Sequence, residues 1–289
     1  MFSIIIPSLN NIDYLKICIN SLKKNSIHKH QIIVHVNIGS DGTKKFLKSE
    51  NISFTSTDHN VGLCKAVNLA SKKSTYDYIM YSHDDFYFCP EWDKAILDEI
   101  KKIKHKNFYL SSTQVNTFGV NYFDCGSDHQ NFSENKLLSN IKKYDFNDLQ
   151  GSTWAPHIVH KDLWIKTGGF SEEFFPGAGS DPDFALKLWK SGVRIFKMLG
   201  SSKVYHFESK TLRDKKKFIY FSVKDLGSKS SKIFLVKWGM SIKFFRKYYL
   251  RANSLYNGAL NEPPKSISYI LELLICKIKL LYINFFFKK

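Results

Sequence analysis

The chain has 289 residues, 43% hydrophobic and 24% charged, enough for one large domain or two small ones with a buried core, which excludes wholesale disorder. Lys and Arg outnumber Asp and Glu by 43 to 26, a formal net charge of +17, so the partners it favours are polyanions: nucleotide phosphates, nucleic acid or an anionic membrane surface. Cys18, Cys64, Cys89, Cys125 and Cys276 are scattered without paired spacing, which argues against zinc and dithiol motifs and fits a reduced, cytosolic compartment.

Phe2 to Ile6 is an apolar run stopped by Pro7. It is too short and lacks the basic start for a signal peptide, and reads as a first strand. Leu15, Ile19 and Leu22 then recur at helical spacing. Gln31 to Val36 is a second strand, followed by Asn37-Ile38-Gly39-Ser40-Asp41-Gly42-Thr43. Glycine and small polar residues after a strand let a ligand approach the backbone, although a ligand-free turn would read the same way. Ile52 to Thr55 is a third strand, and Asn60 to Ala70 a loop entering a helix.

Tyr76 to Phe86 is the most informative stretch. Apolar and aromatic residues run to Tyr81 and break into Ser82-His83-Asp84-Asp85, a fourth strand with two carboxylates at its end. In an open α/β sheet that end faces the ligand crevice. Adjacent carboxylates repel unless a cation joins them, and a hard divalent ion suits oxygen ligands. The alternative is a solvated loop capping a helix opened by Pro90 and Glu91. Strands alternating with helices predict a mostly parallel sheet with right-handed crossovers. The G-x-G-x-x-G fingerprint and the phosphate-binding loop are absent.

Phe108 to Leu110 reads as a further strand, and Asn116 to Asn147 as variable structure or an insertion. Trp154 to His160 returns to a strand, and Asp162 to Trp164 leads to Gly168-Gly169, which either pack closely against a ligand or end a helix. Phe184, Leu188 and Trp189 form a core helical stripe closing at Gly192, with Val193 to Phe196 a strand. From Lys210 to Lys247 basic residues crowd among aromatics, the pattern of a membrane-surface element.

After Pro263-Pro264 comes an apolar segment, Ile267 to Phe287. Its Glu272, Lys277 and Lys279 would each cost on the order of 2.5 to 3.5 kcal/mol at a bilayer centre, against about 0.3 to 0.6 returned by each of its 13 Ile, Leu and Phe. Spanning is unfavoured. The segment reads as an in-plane or packed helix, with the apolar face of a homodimer as the alternative.

Six segments in this order resemble a family 2 glycosyltransferase of the GT-A fold, over roughly residues 2 to 210. They are Ile4-Ile5-Ile6-Pro7-Ser8-Leu9-Asn10, Gly39 to Thr43, Asn60-Val61-Gly62 with Ala66 and Asn68, His83-Asp84-Asp85, Gly168 to Phe174, and Ser180-Asp181-Pro182-Asp183. The resemblance implies an α/β domain over 1–210, with a donor half to about residue 105 and an acceptor half after it; the basic, aromatic composition beyond it reads as a helical, membrane-associated region over 211–289. The resemblance also implies a divalent metal, Mn2+ or Mg2+, held by Asp85 on the donor diphosphate. His83 stands where relatives contact the ribose, and Asn37 where they carry a base-reading Asp, with Asp41 nearby. Pro7, Ser8, Asn10, Asn60, Gly62, Lys65, Asn68 and Asp84 complete the donor set, and a UDP-sugar is the expected donor. Asp181 occupies the position of the catalytic base. Trp154, Gly168, Gly169 and Asp183 fall on the acceptor side.

His206, in the run Lys203 to Ser209, resembles the late His with a downstream Ser of the family. A neutral imidazole can ligate a metal, which makes it the candidate partner of Asp85, although a lone His near a strand is often structural. The implied reaction is inverting transfer to a hydroxyl of a glycan or lipid-linked acceptor in bacterial surface polysaccharide synthesis, on the inner face of the membrane and without nucleic acid. Two other classes remain: a nucleotidyltransferase, which would release pyrophosphate, and a catalytically silent GT-A module whose binding falls steeply with salt.

Overall fold

The computed structural model describes residues 1–117, 121–207 and 223–287. Three consecutive isoleucines, Ile4, Ile5 and Ile6, are fully buried in β1 (Ser3–Leu9), where branched side chains pack on both faces of a central strand. β1 pairs in parallel with β2 (Gln31–Asn37) on one side and β4 (Tyr78–Tyr81) on the other, and β3 (Ser53–Thr57) extends the sheet beyond β2. The strand was expected to stop at Pro7, yet it runs to Leu9. Its β4 partner ends at Ile5, so Pro7 lies where β1 has a strand on one side only, the setting in which proline is tolerated.

Helices α1 (Ile12–Asn25), α2 (Thr43–Ser49) and α3 (Gly62–Ser71) provide the crossovers. Beyond β4 the sheet continues through β8 (His157–His160), β6 (Phe108–Val115), β9 (Ile195–His206) and β5 (Phe86–Phe88), while β7 (Leu149–Gln150) also pairs with β9. β8, β5 and β7 run against the others, so β1, β2, β3, β4, β6 and β9 share one direction. The result is the predicted α/β architecture, a mostly parallel sheet flanked by helices.

Two runs were divided differently from expectation. Tyr76 to Phe86 contains two strands, β4 and β5, with His83 to Asp85 as the loop between them. Conversely, the strand expected over Val193–Phe196 starts at Ile195 and runs on without a break to His206, because a register jump at Ser112/Thr113 carries the β6–β9 ladder across Gly200. Within 116–147 the structure adds α5 (Glu134–Ile141), capped by Ser133, which buries Leu137 and Ile141 beside Tyr87 and Tyr205. α4 (Trp92–Ile103), α6 (Lys161–Thr167) and α7 (Ser180–Lys190) complete the first two thirds.

Glu208, Ser209 and the basic run to Ser222 lie outside the described residues. After them come α8 (Val223–Trp238) and α9 (Ile242–Phe244), the latter passing into a π turn at Phe245–Tyr249. Phe234, Phe245, Leu250 and Leu260 are buried in the main core. α10 (Ile267–Phe287) packs outside that core, against Leu235 and Phe244. It buries Tyr269 and Cys276 but leaves Ile267, Ile270, Leu271, Leu274, Ile278 and Leu281 more than half exposed. Among the described residues no helix is long and apolar enough to cross a membrane. All five cysteines are free and buried.

Candidate active site

The loop between β4 and β5 is fixed at both ends by strand pairing. Ser82 N–H donates to Ile5 O, and Phe207 N–H donates to Asp85 O. Antiparallel register sets Phe86 opposite His206, and that pairing brings a histidine 120 residues away in sequence to the carboxylates. His83, Asp85 and His206 each offer a ligand atom, all within 4.8 Å of one another. His206 Nε2 lies 3.5 Å from Asp85 Oδ2 and His83 Nδ1 3.8 Å from Asp85 Oδ1.

The imidazoles suit this role. Burial pushes His83 down to about 4 despite the Asp85 carboxylate, so the ring is neutral at pH 7, although a quarter of it remains exposed. It stacks on Phe86 at 4.9 Å with 5° between the planes. His206 Nδ1 lies 3.1 Å from Gln114 Oε1. A carbonyl oxygen there selects the Nδ1–H tautomer and leaves the Nε2 lone pair toward Asp85. Two imidazoles, one carboxylate and an orienting amide are a donor set that fits a divalent transition metal. His83 was expected on the ribose; the geometry groups it with the metal candidates instead. Gln114 was not foreseen, since an amide three residues into a polar run carries no sequence signal.

Asp181 sits in the first turn of α7, behind Gly179, which takes a left-handed φ of +81° as the residue before the helix. Its Oδ1 is buried without a hydrogen-bond partner among the described residues. Burial pushes its carboxyl up to about 7, against the helix N-terminus that favours the anion. Such a group takes a proton readily at neutral pH, which suits a general base. His157 Nδ1 lies 4.0 Å from Asp181 Oδ1, and the Tyr81 ring lies 5.2 Å from His157 and 5.4 Å from His83. His157 and Tyr81 thus link the base candidate to the metal candidates.

Asp183, two residues on, is fully buried. Its carboxylate accepts from Ser171 Oγ at 2.6 Å and Trp238 Nε1 at 2.8 Å, with Lys237 Nζ at 2.9 Å. It ties α7 to α8, which corrects its placement as an acceptor contact. Trp154 fits that side better, being half exposed in the loop before β8 with the Arg246 guanidinium 5.5 Å from its ring.

Several donor-side candidates prove to shape loops. Asp41 accepts from Ile12 N–H, Thr43 N–H and Thr43 Oγ1, so its carboxylate is engaged in capping and is not open to a base. Asn37 Oδ1 accepts from Val61 N–H and Thr57 Oγ1, Asn10 Oδ1 from Ser40 N–H, and Asn60 Oδ1 from Gly62 N–H. Gly62 has φ +76°, and a Cβ there would lie 2.6 Å from the Phe175 ring. Pro7 and Ser8 end β1, with Ser8 buried, and Asp84 is buried in the His83–Asp85 loop. Ile38, a branched residue at φ +67° just past β2, is strained backbone at the sheet's ligand-binding edge.

Lys65, Asn68 and Gly168 meet elsewhere. They line a cleft of about 580 Å³ with Trp164, Lys161 and Glu172, reaching Ile79 near the start of β4, away from His83 and Asp85 at its other end. Asn68 clamps the loop after α6 by accepting from Phe170 N–H and donating to Phe170 O. Gly168 ends α6 at φ +72°, and a Cβ on Gly169 would lie 2.5 Å from Asn68 Oδ1. Asn68 and Gly168 thus shape the turn after α6.

Residues 3–159, more than half of the chain, match Glycosyl transferase family 2. The chain belongs to that family. The match runs from β1 through most of β8 and includes His83 and Asp85. An uncharacterized glycosyltransferase of Haemophilus influenzae is 24% identical over 195 residues, which are 65% of this chain and 62% of that protein. Chondroitin synthase of Escherichia coli is 22% identical over 241 residues, 71% of this chain and 34% of that protein. The family 2 chain thus spans between a third and under two thirds of the length of these relatives. Among solved structures, S. aureus TarS 1–349 in complex with UDP-GlcNAc covers 99% of this chain and 73% of its own at 14% identity and a TM-score of 0.59. GalNAc-T7 with UDP, GalNAc and Mn2+ covers 84% and 52% at 12% identity and 0.56. These likenesses establish the GT-A fold.

Proposed function

We propose that the chain is a metal-dependent, inverting glycosyltransferase that moves a sugar from a nucleoside diphosphate donor to a hydroxyl of a glycan or lipid-linked acceptor. The observation that carries this reading is the joining of His83, Asp85 and His206 at the end of β4, linked through Tyr81 and His157 to the Asp181 carboxylate of raised proton affinity. Asp181 takes the proton of the acceptor hydroxyl as that oxygen attacks the anomeric carbon, a contribution typically about 10² to 10⁴-fold. A single displacement of this kind inverts the anomeric configuration. His83, Asp85 and His206 would hold the divalent ion, which when bound supplies Lewis-acid stabilisation of the leaving diphosphate. Two imidazoles in the set favour Mn2+ over Mg2+.

A uridine donor is supported by the bound nucleotides of TarS and GalNAc-T7. An acceptor that is part of a bacterial surface polysaccharide is supported by the chondroitin synthase relative, and the exposed Trp154 offers an aromatic face for a sugar ring. The same reading divides the chain near residue 210 and sets the later part on the inner, anionic face of the membrane. Its support is the +17 charge and the exposed apolar side of α10; pairing of two α10 helices in a dimer is the competing use of that surface. Screening UDP-sugars for nucleoside diphosphate release, with Mn2+, Mg2+ or chelator, tests the proposal. Release that requires the metal is expected. Pyrophosphate as product, or no turnover with any donor, would overturn it.

A further inference from the structure

Behind Asp181 the sheet presents an unusual surface. Register places Tyr81 of β4 opposite His157 of β8, and His157 opposite Ser111 of β6, so all three point to one face, joined by Tyr109 two residues before Ser111. All four are at least 99% buried. The Tyr81 and Tyr109 hydroxyls, Ser111 Oγ and both nitrogens of His157 have no hydrogen-bond partner among the described residues, and neither does Asp181 Oδ1 above them. Buried polar groups are nearly always satisfied, so several orphans gathered under one carboxylate call for a functional cause. A side chain chosen only to fill this space would be Phe or Leu.

The His157 ring is held by aromatic neighbours: Tyr109 at 4.7 Å, Tyr81 at 5.2 Å, Phe184 at 5.6 Å and Phe170 at 6.0 Å. With the ring so confined, Nδ1 is the atom turned to Asp181, at 4.0 Å. Hydrogen bonds that serve catalysis are often this long before substrate binds and tighten in the complex. We propose that His157 is the positioning residue of Asp181: its Nδ1–H donates to Oδ1, orients the carboxylate toward the acceptor and stabilises its ionised form. The inference rests on Asp181 acting as the base. The other titratable groups around Asp181 are Tyr81, Tyr109 and Cys64 of α3, each pushed up by burial and neutral at pH 7. Burial likewise pushes His157 down to about 3, which keeps the ring a neutral donor.

The test compares His157→Phe, which keeps the shape and removes the donor, with His157→Asn, whose amide nitrogen can stand at the Nδ1 position. Carbon-detected NMR titration of the Asp181 carboxyl in the full chain is expected to show the midpoint about one unit higher in His157→Phe, and nearer wild type in His157→Asn. Alongside, kcat should fall about 10 to 100-fold in His157→Phe with donor KM unchanged, and recover in part in His157→Asn. An unchanged Asp181 midpoint in both variants would overturn the proposal. Nitrogen NMR of the wild-type imidazole decides without any variant: an Nε2–H tautomer at neutral pH would also overturn it. Because the titration and the tautomer need no turnover, they test His157 even if no glycosyl transfer is found.

Discussion

Two aspartates, each in the first turn of a helix, have been given opposite environments. Asp93 on α4 is fully buried and accepts from the Ile27 and His28 amides and from the His28 and His30 rings at 3.2 and 3.0 Å. Burial alone would raise it, but those hydrogen bonds, that of His30 foremost, hold it well below the usual carboxylate range. Asp181 on α7 has a buried oxygen with no such donor and is pushed up to about 7. A satisfied carboxylate is an anchor for the chain, whereas an unsatisfied one retains its affinity for a proton. Asp183 repeats the lesson two residues from Asp181, with Ser171 and Trp238 donating to it.

The contrast breaks most visibly in activity. Asp181→Asn should lower transfer about 10² to 10⁴-fold while sparing donor affinity, and the wild-type product should have the inverted anomeric configuration. Because the working form of Asp181 is the anion, kcat/KM of the wild type should fall as pH drops below about 7. A retained configuration, or near-normal turnover in Asp181→Asn, would remove the mechanism while leaving the fold intact. On the metal side, calorimetry should show donor binding lost on chelation and in Asp85→Ala. Equal affinity with and without chelator would sink the assignment of His83, Asp85 and His206.

Asp93 should behave in the reverse way. Asp93→Asn removes the acceptor of several buried donors and should cost about 1.5 to 3 kcal/mol of stability with no direct effect on transfer. Its depressed carboxyl contributes stability above the unfolded value near pH 4 and loses it as pH falls toward the folded value, so the variant's deficit should shrink in acid. Denaturant melts at pH 7 and pH 3 measure this, and an equal deficit at both would contradict it. Smaller still is the expected effect of removing Pro263 to Lys289. Sedimentation with anionic liposomes should be lost while donor hydrolysis stays near wild type, since Leu260 and the Arg194–Glu262 pair remain. A full chain that never sediments would favour α10 as a packing or dimer surface.

How far the sequence disclosed this follows from the range of each contact. Parallel strands buried on both faces announce themselves as runs such as Ile4 to Ile6, and Ile267–Phe287 was bounded by its own apolarity. Asp85 and Asp181 were legible by motif order, and His206 by its place in that order. The role of His83 was not, because it depends on the β5–β9 pairing that brings His206 to the loop. The structural contacts of Asn68, Gly168 and Asp183 were not legible for a related reason. A motif tells that a residue matters but not whether its polar atoms face a ligand or another loop, and here Phe170, α6 and Trp238 take them.

The smallest prediction is the sharpest about the environment of Asp181. A carboxyl whose folded value is raised to about 7 by desolvation gives stability that is fully present below the unfolded value near pH 4 and is lost as pH rises to 7. Asparagine mimics the protonated form at every pH. The melting temperature of Asp181→Asn should therefore match the wild type near pH 3, below the unfolded value, and exceed it by a few degrees near pH 8, a gain in stability opposed to the loss of activity. If the difference between the two proteins is the same at both pH values, Asp181 titrates as an ordinary exposed carboxylate. Its raised proton affinity, and with it the contrast with Asp93, would then be lost even if the variant is inactive.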